Sequence, residues 1–239
     1  DHPTLSDLNL NGDLLNVNYG GFKAGKLIGY GYLLDYDPGQ AGGFAVTTSN
    51  KTFGLRFDGG TPFDGWKLLY TAEAAQQSDY KDGASTVDAD YYYGMLGADY
   101  KGVQAKLNYE VLGGDGVYGF FTPLATLHAH NGWADKFLTT PRDGLRDAFL
   151  SVGGTLYGTH LLAVYHDFSS DNLSYDYGSE WNLQASRKVH KNITLLIKYA
   201  SYSGDTNATN VTRNPAAASS PANLTKDIDK LWLQAEISF

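Results

Sequence analysis

The chain has 239 residues, no cysteine and a formal net charge of −8. The negative charge argues against a nucleic-acid partner, and without cysteine no disulfide holds the fold. No apolar run approaches the roughly 20 residues of a membrane-spanning helix. The chain is instead rich in tyrosine (18), phenylalanine (11) and glycine (28), a composition typical of strands that alternate apolar and polar faces.

Alternating residues predict about eleven strands, separated by turn-forming residues. The clearest lies over 103–111, where Val103 and Leu107 share an apolar face and Lys106 and Glu110 share a polar one. In chain order the predicted strands are 12–20, 26–37, 50–58, 66–77, 87–100, 103–111, 145–155, 160–169, 176–188, 192–203 and 228–239. Most are long enough to cross a bilayer on a tilt, which takes about 9–11 residues.

The last predicted strand carries an apolar face of unusual length. Its members are Leu231, Leu233, Ala235, Ile237 and Phe239. At the edge of a soluble sheet such a face would invite aggregation, whereas in an outer-membrane barrel it would face lipid.

Short and long connections alternate between these strands. The short ones are 20–24, 61–65, 100–102, 157–159 and 190–192; the long ones are 38–49, 78–86, 113–144, 170–175 and 204–227. Short turns on one side and long loops on the other are typical of outer-membrane barrels. We therefore predict a single domain over 1–239, an all-β transmembrane antiparallel β-barrel of the outer-membrane type, with about 11–12 strands. A soluble all-β domain is the alternative.

The strand count raises a question of parity. The first and last predicted strands both run toward the side of the short turns, whereas bacterial single-chain barrels have an even number of strands. Either residues 1–10 supply an incomplete first strand, or strands or partner subunits are missing upstream. We favour the C-terminal part of a larger barrel.

The alternation also predicts which side chains face the lumen. The charged ones are Arg56, Lys67, Lys106, Lys188 and Lys198, together with Asp58, Glu73, Asp90, Glu110, Asp147, Glu180 and Glu236. Tyr92 and Trp232 are predicted to face inward, and His166 to face lipid. The remaining prominent aromatics, predicted to form the girdles at the membrane interfaces, are Trp66, Tyr91, Tyr93, Tyr100, Tyr157 and Trp181.

The connection 113–144 is too long and too apolar for a freely solvated loop. We expect it to fold into the pore as a constriction, or over the pore as a cap. In the first case it would present His128, His130, Asn131, Asp135 and Lys136 to a solute, with Trp133 available to stack on a sugar ring.

Part of this loop resembles a known family. The stretch TPLATLHAHNGWADKFLTTPRDGLRD, residues 122–147, resembles the alginate-export porins of Gram-negative outer membranes, and 166–168 and 177–180 resemble their later strands. The resemblance implies a passive outer-membrane channel, in the best-known case for an anionic polysaccharide. Family members are longer than this chain, which agrees with the parity argument.

Together these features predict a channel for polar or charged solutes, such as saccharides or organic acids, in contact with outer-membrane lipids. It would be no enzyme and would use no metal or other cofactor. A structural or plugged barrel and an outer-membrane lipid hydrolase are the alternatives. His128 and His130, with Asp135 or His166, lack a defined metal-ligand spacing, and the acidic residues of 78–90 lack the order of a calcium-binding loop.

Overall fold

The computed structural model describes residues 9–39, 45–205 and 224–238 of the chain, without the side chain of Leu127. Their main element is one sheet of eleven strands in sequence order, with every neighbouring pair antiparallel. The strands are β1 (Leu10–Phe22), β2 (Gly25–Tyr36), β3 (Asn50–Phe63), β4 (Trp66–Asp79), β5 (Asp88–Tyr100), β6 (Val103–Leu112), β7 (Leu145–Leu156), β8 (Thr159–Ser169), β9 (Asp176–His190), β10 (Ile193–Gly204) and β11 (Ile228–Ile237).

The prediction of an all-β antiparallel fold is confirmed. Two single-turn 3-10 helices, Val46–Thr48 and Leu127–Ala129, lie in long connections. No helix within the described ranges has the length and apolar character to span a bilayer. Of the residues 1–10 that could supply an incomplete first strand, 1–8 lie outside the described residues, as do most of the loop 204–227 and the terminal Phe239.

Five connections are tight turns, and we call their side of the sheet the turn side. Three of them are the dipeptides Asp64–Gly65, Lys101–Gly102 and Tyr157–Gly158, in which both residues have positive φ, between 43° and 85°. Positive φ at both positions defines the type I′ hairpin, whose twist matches that of the flanking strands. Glycine at the second position adopts this conformation without steric cost, so the local sequence fixes these hairpins. The opposite side is called the loop side.

The two faces of the sheet differ in what they contact. The inner face is the one that residues 113–144 cover, and the outer face is the opposite one. On β6 the outward Leu107 is 63% exposed while the inward Asn108 is 4% exposed. The same division holds on β11, where Leu231 and Leu233 point outward with most of their surface exposed. An exposed apolar outer face is what a lipid-facing surface requires.

The hydrophobic core lies between the loop and the inner face, not between two sheets. Phe137 of the loop packs on Phe168, Tyr177 and Tyr202, with ring centroids 4.5, 5.7 and 6.3 Å away. This packing explains why the predicted orientation of β8 is wrong: its apolar face, with His166, points inward because the loop covers it. Alternation alone cannot separate an apolar face under a loop from one under lipid.

The orientation of β5 also differs from the prediction. Asp90 and Tyr92 face outward, and Tyr92 is 51% exposed. Tyr91 and Tyr93 face inward, where their hydroxyls donate to Glu110 and Asn108. The register of β5 against β6, which pairs Tyr93 with Glu110, decides this orientation. Because consecutive tyrosines occupy both faces, the sequence of β5 does not show which face points inward.

The sheet is open between its edge strands. Among the described residues, β1 pairs only with β2 and β11 only with β10. β1 enters the tight turn after Phe22, and β11 follows the long connection from β10. Both edge strands therefore run from the loop side to the turn side.

Candidate functional site: the inner face and its loop

The first half of the loop is fastened to the inner face by one buried amide, that of Gln77 on β4. The two hydrogens of its Nε2 are shared among three acceptors, Asn50 Oδ1 (3.2 Å), Thr52 Oγ1 (2.9 Å) and the Phe121 carbonyl (2.9 Å). Its Oε1 accepts from the Tyr118 hydroxyl (2.6 Å) and the Phe121 amide (2.8 Å). Gln77 is 1% exposed, so water does not replace these partners while the loop is in place.

A cavity of about 620 Å³ lies between this half of the loop and strands β1 to β6. Arg56 forms ion pairs there with Glu73 at 2.7 Å and Asp58 at 2.9 Å. The Tyr30 hydroxyl also donates to Glu73 at 2.7 Å. One cation thus pairs with two carboxylates, and the rest of the cavity lining combines leucine and phenylalanine side chains with three tyrosines. His130 lines the same cavity and is exposed.

The tip of the loop reaches the acidic side chains of the central strands. Asn131 donates from Nδ2 to Glu110 at 2.8 Å and to Asp147 at 3.4 Å. The next residue, Gly132, has a φ of +84°, and a Cβ there would lie 2.5 Å from a Glu180 carboxylate oxygen. Both the conformation and the close approach require glycine at this position. At the loop tip, Asn131 thus bridges the carboxylates of Glu110 and Asp147, and Gly132 brings the loop backbone close to Glu180.

Two of these acids are fully buried beneath the tip. Asp147 lies 2.9 Å from His166 Nδ1, and Glu180 accepts a hydrogen bond from the Ala134 amide at 2.8 Å. The Trp133 amide donates to Asn182 at 3.2 Å. Loop backbone and strand side chains are therefore bonded at a depth of four to six residues along β9, since that strand begins at Asp176.

A cationic cluster follows on β10 and β11. Asp135 accepts a hydrogen bond from Lys230 at 2.6 Å and lies 2.6 Å from His128 Nδ1. Lys198 Nζ lies 3.0 Å from His128 Nε2 and 4.0 Å from the centroid of the Trp133 ring. Burial alone would raise the pKa of Asp135, but the bonds from Lys230 and His128 outweigh it and lower this pKa.

The Trp133 and Trp232 rings flank Lys198, with the Trp232 centroid 5.5 Å from its Nζ. Both indoles are partly exposed. An ammonium between two aromatic faces combines cation–π attraction with a surface on which a planar or ring-shaped solute can stack. We call Trp133, Lys198 and Trp232 the indole–lysine cluster.

Lys136 takes no part in this cluster. It is 5% exposed, donates to the Lys226 carbonyl at 2.7 Å and lies 4.8 Å from the Tyr202 ring centroid. Burial, together with the charge of Lys230, lowers its pKa. Its role in the structure is to fasten the loop near β11, so the expectation that it faces a solute is wrong.

The remaining predicted lining residues lie nearer the turn side. The strand register places Lys67 opposite Asp99, Lys106 opposite Gly97, and Lys188 and Glu236 opposite Thr194 on its two sides. All four face inward by alternation with their outward neighbours. None of the four donates or accepts a hydrogen bond with a described residue of the loop.

The alternation did not identify several residues that hold the loop, chiefly Gln77, Tyr91, whose ring packs on Phe120, and Asn182. Each lies on an inward face near the loop side, and that position is the only signal that identifies them. The histidines do not assemble into a metal centre: in the described part of the chain, no three His, Asp or Glu side chains are grouped to hold an ion.

Among solved structures, the chain is similar to the crystal structure of OccAB2 from Acinetobacter baumannii, an outer-membrane porin, with a TM-score of 0.60 and 15% sequence identity. The match covers 92% of this chain and 54% of that one, so this chain spans about half of the porin's length. Neither models of protein families nor curated proteins match the sequence. The likeness shows the fold, an outer-membrane type of antiparallel β-barrel, here as an open eleven-stranded sheet.

Proposed function

We propose that the chain forms the wall and the constriction of an outer-membrane channel that passes polar or charged solutes passively in a Gram-negative bacterium. The observation that carries this proposal is the loop 113–144, bonded along a polar inner face whose opposite face is apolar and exposed. An apolar exterior suits lipid, and a polar interior suits hydrated solutes. Transport of this kind breaks no bond and requires no catalytic residue.

The loop would set the width of the path. Its contacts run from Gln77 on β4 to Lys230 on β11. Between them, the bonds to Glu180 and Asn182 hold the loop four to six residues below the start of β9. A segment fixed at that depth narrows the lumen more than a cap at the rim would. Channel selectivity then follows from the width and charge of what remains open.

The indole–lysine cluster gives this path a contact surface for solutes. Partly exposed indole rings stack on sugar rings, and an adjacent ammonium attracts carboxylates. We therefore propose saccharides or organic acids as solutes, of which an anionic polysaccharide of the alginate type is the most specific case. The sequence resemblance of 122–147 supports that case.

A plugged or structural barrel is the second candidate, because the loop anchors are buried. Glu180 and Asp147 are both 0% exposed beneath the loop tip, so the loop does not leave the inner face without exposing charges. If the loop fills the lumen completely, the same contacts would seal the barrel instead of narrowing it.

Planar-bilayer recording distinguishes these functions. We expect discrete current steps from the purified protein, and larger steps from Gln77→Ala, which releases the first half of the loop. Gln76→Ala, on the outer face of the same strand, is the matched control and should leave the step size unchanged. If hydrogen exchange shows the amides of both edge strands protected, so that the wall is closed, absence of current steps at every salt concentration would refute the channel and favour the plugged barrel.

Liposome swelling tests the solute class. Vesicles that contain the protein should admit monosaccharides and sugar acids faster than empty vesicles do. Trp133→Ala should change the relative rates for sugars and for non-sugar polyols of similar size, because only ring-shaped solutes stack well on the indole. Equal changes for both groups would contradict a role of Trp133 in stacking.

A further inference from the structure

We propose that His128 controls how strongly the indole–lysine cluster attracts anions. Its neutral ring holds the Lys198 ammonium, and a proton added to the ring releases this ammonium and places a second positive charge beside it. The inference rests on the proposed function, because attraction of anions affects transport only in a channel. The movement of Lys198 and the change of charge are nevertheless measurable without any transport.

The first step is the direction of the two hydrogen bonds on the His128 ring. Nδ1 lies 2.6 Å from Asp135 Oδ1, and a carboxylate only accepts, so Nδ1 carries a hydrogen. Nε2 lies 3.0 Å from Lys198 Nζ. An ammonium has three N–H donors and no lone pair, so Nε2 accepts this bond, which it does only while the ring is neutral. The geometry therefore belongs to a neutral His128 and a charged Lys198.

The second step is the charge around the ring. The loop contributes Asp135, and β10 contributes Lys198. From β11, Lys230 donates to the same Asp135 carboxylate, and the uncharged Trp232 ring lies 5.2 Å from the His128 ring, centroid to centroid. Two ammonium groups against one carboxylate leave a single net positive charge. Protonation of His128 therefore doubles the net charge of this group of side chains.

The third step is the effect of a proton on Nε2. The new N–H would point at the Lys198 ammonium, so two donors and two like charges would face each other across 3.0 Å. That contact does not persist. The contact with Asp135 does, because a hydrogen bond between a charged ring and a carboxylate is stronger than one from a neutral ring. Lys198 is therefore the partner that moves, and the loop stays in place.

The fourth step is the position that Lys198 reaches. Its ammonium sits on a flexible stem of four carbons and is partly exposed. The Trp133 and Trp232 rings, 4.0 and 5.5 Å from Nζ, attract it without fixing the direction of its N–H groups. Without the bond to His128, the ammonium can turn toward solvent and offer all three donors to a carboxylate. The cluster should therefore attract anions more strongly at acid pH than at neutral pH.

Iodide quenching of tryptophan fluorescence in detergent micelles tests the change of charge. The chain has four tryptophans, and Trp66→Phe with Trp181→Phe leaves only Trp133 and Trp232 to report. Uncharged acrylamide corrects for accessibility. We expect the ratio of the iodide to the acrylamide quenching constant to rise about twofold from about pH 8 to about pH 5, the range in which histidines change charge, because one charge about 8 Å away attracts an anion to that extent in water.

Two variants of this double-phenylalanine protein assign the effect to one ring. His128→Gln keeps an oxygen that accepts from Lys198 but takes up no proton, so its quenching ratio should not change with pH. His130→Gln is the matched control, because His130 is exposed in the same loop, and it should retain the twofold rise. A ratio independent of pH in the parent, or an equal rise in His128→Gln, would overturn the proposal.

Nuclear magnetic resonance of the Lys198 side chain tests the movement. Ring currents of Trp133 and Trp232 shift its ε-methylene signal while the ammonium lies between the indoles. We expect this shift to be lost on acidification in the wild type and kept in His128→Gln. A shift that persists in the acidified wild type would overturn the release of Lys198. If both local changes occur while bilayers with a closed wall show no current, the proposed channel fails and the coupling of His128 to Lys198 stands.

Discussion

Replacing Gln77 by alanine should release the first half of the loop while leaving the sheet intact. Gln77 makes five hydrogen bonds to the loop and to β3. A hydrogen bond in a protein contributes about 0.5–1.5 kcal/mol net, and a buried partner left unsatisfied costs more. The three bonds to Tyr118 and Phe121 hold the loop, so their loss should lower its local stability by about 3 kcal/mol.

The effect is measurable as faster exchange of the Phe121 amide, which donates to Gln77 Oε1. A change of about 3 kcal/mol corresponds to at least about 100-fold faster exchange, since 1.4 kcal/mol is tenfold. Gln77→Glu keeps the two acceptor contacts but loses the donated ones, so its exchange rate should be intermediate. Gln76→Ala should have no effect, because Gln76 is exposed on the outer face.

Unchanged exchange of Phe121 in Gln77→Ala would refute the reasoning. It would mean that the apolar side chains of the loop, not this amide, determine its position. Equal acceleration in Gln77→Ala and Gln76→Ala would also contradict it, because that result would indicate general loosening of β4 rather than loss of a specific anchor.

Three further predictions concern charged groups. Burial raises the pKa of folded Asp135, but the bonds and charges of Lys230 and His128 together outweigh burial and lower this pKa. The contribution of Asp135 to loop stability is therefore present above the unfolded pKa of about 3.9 and is lost as the pH falls through the lower folded value. Exchange of the neighbouring loop amides should therefore accelerate only below about pH 4, and in Asp135→Asn this acid step should be absent. Lys198→Met should shift the reversal potential in a salt gradient toward cations, by about fivefold in the cation-to-anion permeability ratio. One charge about 8 Å away changes an ion's energy by about 0.5 kcal/mol in water, with opposite sign for cations and anions. An unchanged potential would place the ion path elsewhere. His166→Phe should destabilise the protein by about 3 kcal/mol in urea unfolding, because it leaves Asp147 buried without its partner, and the added change Asp147→Leu should restore most of that loss.

The alternation of apolar and polar residues was sufficient to predict the strands. It also predicted which face points inward wherever the two faces of a strand differ in polarity. Over residues 103–111 of β6 and 231–237 of β11, each inward residue is more polar than its outward neighbours, so the orientation follows directly. On β5 the run Tyr91–Tyr93 carries no such difference. On β8 the inner face is apolar because Phe137 packs against it, a contact that forms over a long sequence separation.

The residues that contact the loop on the inner face were harder to predict than the strands, because these contacts also form over long sequence separations. Side chains that fasten the loop, such as Gln77, differ from other inward polar residues only by the segment that comes to lie on them. Lys136 illustrates the reverse case. A charged loop residue is expected to face water, yet its ammonium donates to a backbone carbonyl and lies over the Tyr202 ring.

The attachment of the loop has a mechanical consequence. Residues 113–144 leave the sheet at β6, return at β7 and are bonded on the way to β4 on one side and β11 on the other. They act as a brace across eight consecutive strands, from β4 to β11, so these strands do not separate without breaking bonds to the loop. Strands β1 to β3 face the loop across the cavity of about 620 Å³, so this end of the sheet can shift without breaking the bonds of the brace.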